Sequence, residues 1–452
     1  EKEGDAPAWA LASKMLTLAA VFMSGISLLG VLFARPLIGL LAPGFAPEDA
    51  ALTIWLTQIM YPFILLVSLA ALVMGMLNSK NIFGVPAMAS SFFNLGSIIG
   101  GVWIGWSLDP RFGETALTGL AIGTLAGGLL QFAIQLPSLR KAGFRFRPDF
   151  RWKDEGVRKI LILMIPSVIA ASAVQVNVMV NSSFASIVGK EAVAWLNSAF
   201  RFMQMPLGMF GVAVATITLP VISRIAAHAD RSDFGPTLGK AMRLSLFLTL
   251  PSAAGLAVLA EPIINLIYRW GAYTASDVSQ TAHALRFYVA GLVAYACIKV
   301  LSPAFYALDR KWTPMIVSFA SIGVNLGLNY LFIFKFGWGH WGLALSTSLS
   351  ATGNFLALYG LMHGHAGTLA TRRLLTSALK CGFASLALAA AGWGLLIYLR
   401  EYLFHPNLIF RAAATLGSVG LCGAVYAAAC WLLRVEEMRT AFDAILRKVR
   451  RR

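Results

Sequence analysis

Arg201 stands inside an apolar run, Trp195-Leu196-Asn197-Ser198-Ala199-Phe200-Arg201-Phe202-Met203-Gln204-Met205-Pro206-Leu207-Gly208, with no Asp or Glu within four residues of it. On a helix, no neighbouring carboxylate can therefore neutralise it. An arginine at the centre of a bilayer costs a few kcal/mol or more, so it must face water, a distant partner or an anionic ligand. The guanidinium fork matches paired phosphate oxygens. Two readings stand: a cation that holds a phosphate-bearing ligand, or one that snorkels to the outer interface or pairs with a distant acid. Pro206, Gly208 and Gly211 follow and predict a bend.

Lys299, in Cys297-Ile298-Lys299-Val300-Leu301-Ser302-Pro303, is a second cation within an apolar run. It is either a ligand contact, a cap on carbonyls freed by Pro303, or part of an aqueous cavity wall. Arg286 and Lys380 lie near the ends of apolar stretches, where snorkelling is expected. Gln175, Asn177, Asn181, Asn94 and Asn325 are polar residues within such stretches. Hydrogen bonding between helices is their default role; Gln175 and Asn181 are also candidate substrate contacts. Of twenty acidic residues, only Glu261 falls inside an apolar stretch, beside Pro262. An exporter coupled to protons or sodium needs a carboxylate within the membrane, so this scarcity counts against one.

Enzymatic constellations are not in view. His228, His283, His340, His363, His365 and His405 lie at loops or stretch ends, and His363-Gly364-His365 has no further ligands nearby. No metal site or cofactor is expected. Cys297, Cys381, Cys422 and Cys430 lie within apolar stretches without CxxC spacing and read as core residues. There is no P-loop, so the chain itself offers no site for ATP hydrolysis.

The elements that must position these residues are membrane helices. The chain has 452 residues, 58% hydrophobic and 13% charged, against about 25% charged for soluble domains. Twelve spans are expected, at 15–41, 53–77, 85–108, 115–139, 157–188, 192–226, 238–269, 280–308, 313–334, 340–363, 372–399 and 408–433. Basic residues gather in alternate connections: Lys80, the cluster from Arg140 to Lys159, Arg224 to Arg243, Arg310-Lys311 and Arg372-Arg373. By the positive-inside rule these connections and both termini face the cytoplasm. The net charge of +17 fits anionic lipid surfaces and needs no nucleic acid. Residues 434–452 have apolar positions at helical spacing and end Arg450-Arg451-Arg452, the pattern of an amphipathic helix on the inner leaflet.

The sequence also repeats itself. Ala34-Arg35-Pro36-Leu37-Ile38-Gly39-Leu40 recurs as Ala260-Glu261-Pro262-Ile263-Ile264-Asn265-Leu266, an offset of 226 (262 − 36). Asn94-Leu95-Gly96 recurs as Asn325-Leu326-Gly327, offset 231, and Gly119-Leu120-Ala121 as Gly342-Leu343-Ala344, offset 223. Such a repeat predicts two helix bundles of the same orientation with a substrate path between them. The second copy is preceded by two helices for which the first has no counterpart. The expected organisation is an N-terminal lobe of four helices at 1–139, lacking an opening pair, and a basic linker at 140–156. A six-helix lobe at 157–363, two extra helices within 364–433 and the basic tail at 434–452 follow.

Motifs in order along the chain carry a family resemblance. They are Tyr61-Pro62-Phe63-Ile64-Leu65-Leu66 leading to Leu77-Asn78, Gln135-Leu136-Pro137, Gly208-Met209-Phe210-Gly211-Val212-Ala213 with Leu219-Pro220, and Lys299-Val300-Leu301-Ser302-Pro303-Ala304-Phe305-Tyr306-Ala307 with Thr313-Pro314. From about residue 10 to 433 the chain resembles the MurJ (MviN) lipid II flippases of the MOP transporter superfamily. The resemblance implies an all-α polytopic fold of two six-helix lobes plus two helices, of which this chain matches helices three to fourteen. It further implies translocation of lipid II, an undecaprenyl-pyrophosphate-linked peptidoglycan precursor, across the bacterial inner membrane by alternating access. The last two helices would then form a groove for the lipid tail. Arg201 matches an arginine of the family's cationic cavity; Gln204 stands where many members have Glu, and Phe200 where some have Asp. The substrate contacts so expected are Arg201, Gln204, Lys299, Gln175 and Asn181. Two other readings remain: a cation-coupled small-molecule or other lipid-linked oligosaccharide exporter of the same superfamily, and a non-transporting homologue or fragment.

Overall fold

The computed structural model describes residues 5–228, 232–310, 312–366 and 369–438. Most of the expected tail helix at 434–452 lies outside these. Among the described residues every regular element is helical and there are no strands. It divides into two compact units, Glu1–Ser172 and Ala173–Arg452.

The first unit opens with α1 (Asp5–Leu32) and α2 (Ala34–Leu41), which part at Phe33. Pro36 explains the break: it has no N–H for the Leu32 carbonyl, and its ring crowds that oxygen. The expected span at 15–41 therefore starts ten residues earlier and breaks near its end. α3 (Pro47–Met60) has a proline in its first turn with Glu48 and Asp49 beside it, as a helix N-terminus favours. Tyr61-Pro62 separates it from α4 (Phe63–Ser79).

Next, α5 (Gly84–Ile99) widens into a π-helical turn, π1 (Gly100–Ile104), and ends as α6 (Gly105–Leu108). This segment runs antiparallel to α7 (Ala116–Ala133), backbone against backbone. A Cβ on Gly96 would lie 2.5 Å from the Gly127 Cα, one on Gly100 2.1 Å from the Gly123 Cα, and one on Gly119 2.3 Å from the Gly105 nitrogen. Glycines at every fourth position of α7 make this approach possible, the small-residue packing of membrane helices. After α8 (Leu136–Lys141) the basic connection folds back on α1. Lys14 Nζ donates to Asp154 Oδ2 at 2.5 Å, and the Asp149 amide donates to Thr17 Oγ1 at 3.1 Å. The hydrogen bond from Lys14 holds the Asp154 carboxyl below its usual range. The side chain of Arg151 lowers that of Asp149 to about 2.

α9 (Glu155–Val188) leads into the second unit. There α10 (Lys190–Pro206), a π-helical turn π2 (Leu207–Val212) and α11 (Ala213–Ala227) form one span of 38 residues. The bend expected after Pro206 is this wide turn, where Pro206 leaves the Phe202 carbonyl without its helical donor. α12 (Phe234–Val258) and α13 (Ala260–Tyr268) part at Leu259. α14 (Ala275–Val289) starts with a capping box between Thr274 and Asp277, and bends by 45° into α15 (Leu292–Ala307). α16 (Trp312–Tyr330) runs into π3 (Leu331–Lys335), and α17 (His340–Ala366) follows. α18 (Thr371–Tyr398), α19 (Arg400–Leu403) and α20 (Leu408–Leu432) complete the unit. α18 and α20 pack on α12 through Phe247, Cys381, Leu388, Cys422 and Cys430. The Tyr426 hydroxyl donates to the Phe247 carbonyl at 2.7 Å.

Among the described residues, nine helical segments are long and apolar enough to cross a membrane, ten with the bent pair α14–α15. The other two expected spans coincide with α9 and α17, of 34 and 27 residues, at about 1.5 Å per residue long enough for a bilayer. α17 carries Ser346, Ser348, Ser350, Thr352 and Asn354, which lowers its hydropathy.

Two signatures recur at the offsets of the sequence repeat. α2 and α13 each begin at the alanine of the Ala-x-Pro motif, after one residue of nearly the same conformation: Phe33 at φ −99°, ψ 16° and Leu259 at φ −90°, ψ 18°. π1 and π3 lie 231 residues apart (331 − 100), the offset of Asn-Leu-Gly.

Candidate functional site

All five expected contact residues lie in the second unit. On α10, Ala192, Leu196, Ala199, Phe202, Met203 and Pro206 are buried at three- and four-residue intervals. This stripe turns Asn197, Arg201 and Gln204 outward, where all three are exposed along one face. Among the described residues Arg201 has no hydrogen bond or ion pair. Its neighbour Phe200 turns the other way, its ring 5.3 Å from that of Tyr288. The helix thus offers an unneutralised guanidinium and an amide one turn apart on a polar face.

Lys299 is exposed on α15, and among the described residues it caps no carbonyl. α10–π2 and α14–α15 run side by side in the same direction. Phe200 meets Tyr288, and further along a Cβ on Gly211 would lie 3.4 Å from the Ala296 Cα. Lys299 is one turn beyond Ala296, which puts it roughly 15 Å along the helix axes from the level of Arg201. The two cations therefore stand at different levels of this helix pair.

Gln175 is exposed on α9, whereas Asn181 is committed to a network. Asn181 Nδ2 donates to Asn177 Oδ1 at 2.6 Å, and Asn181 Oδ1 accepts from Asn329 Nδ2 at 2.7 Å. Asn329 also donates to Asn325 Oδ1 at 3.4 Å and accepts from the Ser346 hydroxyl. The network ties α9, α16 and α17 together, the inter-helix role that polar residues in membrane spans take by default.

Two side chains depart from the expected snorkelling. Arg286 Nη2 donates to Glu261 Oε1 at 3.0 Å, and its Nε donates to the Ala257 carbonyl at 3.2 Å, next to the break at Leu259. The acid expected to stand alone within a span is thus paired. Lys380 Nζ donates to the Arg434 carbonyl at 3.3 Å, closing the end of α20. Arg411 is buried in the first turn of α20 with its guanidinium carbon 5.3 Å from the Trp270 ring centre. Both Arg286–Glu261 and Arg411–Trp270 join residues far apart in sequence, and no local spacing announces them.

The family model for the lipid II flippase MurJ matches residues 1–412. The chain belongs to the MurJ family. A Vibrio cholerae relative named "Probable lipid II flippase MurJ" is 33% identical over 434 residues, covering 94% of this chain and 81% of that protein. The lipid II flippase MurJ of Burkholderia cenocepacia is 33% identical over 356 residues, covering 77% and 68%. A solved MurJ structure, a lipid II flippase in an inward closed conformation, superposes with a TM-score of 0.78 at 26% identity, covering 96% of this chain and 86% of that one. An inward-facing MATE family transporter of the MOP superfamily shares the fold at a TM-score of 0.61 and 16% identity, covering 78% and 81%. Within the MurJ fold the recognition motifs fall at structurally special places. Tyr61-Pro62 is the α3–α4 break, Gly208 to Ala213 covers most of π2, and Lys299 to Ala307 is the C-terminal half of α15.

Proposed function

We propose that this chain translocates lipid II across the bacterial inner membrane by alternating access, moving the lipid and catalysing no covalent change. The observation that carries the site is the exposed, unpaired Arg201 within an apolar span of a MurJ family member. Arg201 holds the pyrophosphate, because a doubly hydrogen-bonding cation in a low-dielectric site gives the strongest available contact to paired phosphate oxygens. Gln204 donates to the headgroup from one turn along. Lys299 and Gln175 make separate polar contacts along the path, and Asn181 acts through the packing of α9. The chain is multi-pass, with the basic connections and both termini cytoplasmic, as the charge pattern favours.

The tail stays in lipid along the two C-terminal helices while the headgroup takes the polar path. The outer faces of α18 and α20 support this: Phe383, Leu386 and Trp393 on α18, and Ile409, Leu416 and Val419 on α20, are exposed. A cation-coupled exporter is not favoured. Its embedded carboxylate would have to be Glu261, which is ion-paired to Arg286.

Replacing Arg201 by Ala is expected to abolish rescue of cells depleted of their own lipid II flippase while membrane levels of the protein stay normal. Full rescue by the variant would remove Arg201 from the mechanism. Organic cations competing in a transport assay in which lipid pyrophosphates do not compete would favour the exporter.

A further inference from the structure

Where α12, α18 and the segment after α20 meet, the second unit has an open cavity of about 330 Å³ whose rim is strongly cationic. Arg372, Arg373 and Lys380 come from α18, Arg243 from α12 and Arg434 from just beyond α20. Two acids share the rim. Glu437, buried, accepts from Arg243 Nε at 2.8 Å and from the Ser377 hydroxyl at 3.0 Å, and Glu436 approaches Arg243 at 3.6 Å. Arg243 is thereby used to build the floor, and Lys380 is anchored on the Arg434 carbonyl. The guanidinium groups of Arg372, Arg373 and Arg434 have no partner among the described residues. Arg372 and Arg373 also line an adjoining cavity of about 410 Å³ around the start of α18.

Arg434 has a further peculiarity. Its φ is +51°, the left-handed region that favours glycine. The Val435 amide donates back to the Cys430 carbonyl at 3.0 Å, closing the helix in the usual glycine-ended pattern. Arginine there is a local cost that the helix end does not need, and it places one more guanidinium on the rim. Flanking the rim, Leu375, Leu379, Trp431 and Leu432 are exposed apolar side chains on α18 and α20, both membrane-spanning by length and hydropathy.

We propose that this cavity binds the phosphate headgroup of a resident anionic phospholipid, distinct from the transported lipid. Fork-shaped cations recognise the phosphate, and the flanking apolar side chains take the acyl chains. A basic pocket between spans at the end where the basic connections gather has the chemistry for such a headgroup. A free phosphate would use the same arginines but not the apolar flanks, so the two sources can be told apart.

The test is the thermal unfolding midpoint of the purified protein in zwitterionic detergent, titrated with short-chain phosphatidylglycerol. The midpoint of the wild type is expected to rise, and phosphatidylcholine and inorganic pyrophosphate are expected not to reproduce the rise. The double variant R372Q/R373Q changes two exposed residues and is expected to need at least tenfold more phosphatidylglycerol, from roughly 1 kcal/mol per basic residue near an anionic surface. R434G separates binding from folding: it is expected to raise the midpoint without lipid and to weaken the lipid response. Should the double variant fail to fold, T376E places a negative charge at an exposed rim position and is expected to weaken the response likewise. An undiminished response in the variants would overturn the proposal, as would an equal rise with inorganic pyrophosphate, which would make this a soluble-anion site.

Discussion

At the scale of single residues, this membrane protein separates cations that are spent from cations that are free. Arg286 is paired with Glu261, Arg243 with Glu437, and Lys14 with Asp154. Arg201 and Lys299 are exposed without a partner among the described residues. Sequence could single out Arg201 because its isolation from acids is local along the helix. It could not reveal that Glu261 is neutralised, since its partner lies 25 residues away across a turn. Nor could it tell Gln175, exposed, from Asn181, hydrogen-bonded at both ends of its amide. The network role of Asn181 leads to a stability prediction. Asn329→Ala removes the donor to Asn181 and the acceptor of Ser346, and is expected to lower stability by about 1 kcal/mol, read as a lower unfolding midpoint in detergent. An unchanged midpoint would mean that the network contributes nothing.

At the scale of elements, the two copies of the repeat join equivalent helix pairs by different chemistry. In the first unit Gly123 of α7 packs against Gly100 of π1. At the matching position of the second copy stands Ser346, 223 residues on, in the Asn325–Asn329 network. Gly123→Ala would set a Cβ 2.7 Å from the Gly100 Cα, and overpacking of this kind costs about 1–3 kcal/mol. Gly360→Ala on α17, with nothing within 4 Å of its Cβ position, should leave stability unchanged or slightly higher. Equal effects of the two substitutions on the unfolding midpoint would contradict the backbone-contact account. The connection at 142–154 makes a pH prediction. The Asp149 and Asp154 carboxyls lie below their ordinary range in the folded state. Their contribution is therefore fully present above about pH 4, the unfolded value, and is lost as pH falls through the folded values. A spin label at position 153 should keep its mobility from pH 9 to 5 and gain mobility only under stronger acid. A mobility change near neutrality would contradict this. Span positions were legible from hydropathy. The breaks at Phe33 and Leu259 follow from prolines three residues on, and π2 follows directly on Pro206, but π1 and π3 have no such signal.

At the scale of the whole molecule, the sequence motifs and the family match agree on a MurJ transporter, and that much was readable from residue order. The cationic cavity was not, because its rim is assembled from residues near 243, 372 and 434 that no motif links. We propose above all that Arg201 carries the lipid pyrophosphate. The direct measurement of this role is lipid II translocation in proteoliposomes containing the purified protein or its Arg201→Ala variant, at matched incorporation and with fluorescent lipid II as substrate. Translocation by the wild type and a loss of at least a hundredfold in the variant are expected, in line with a charge-assisted bidentate contact worth about 3 kcal/mol. Translocation by the variant at the wild-type rate would contradict this role.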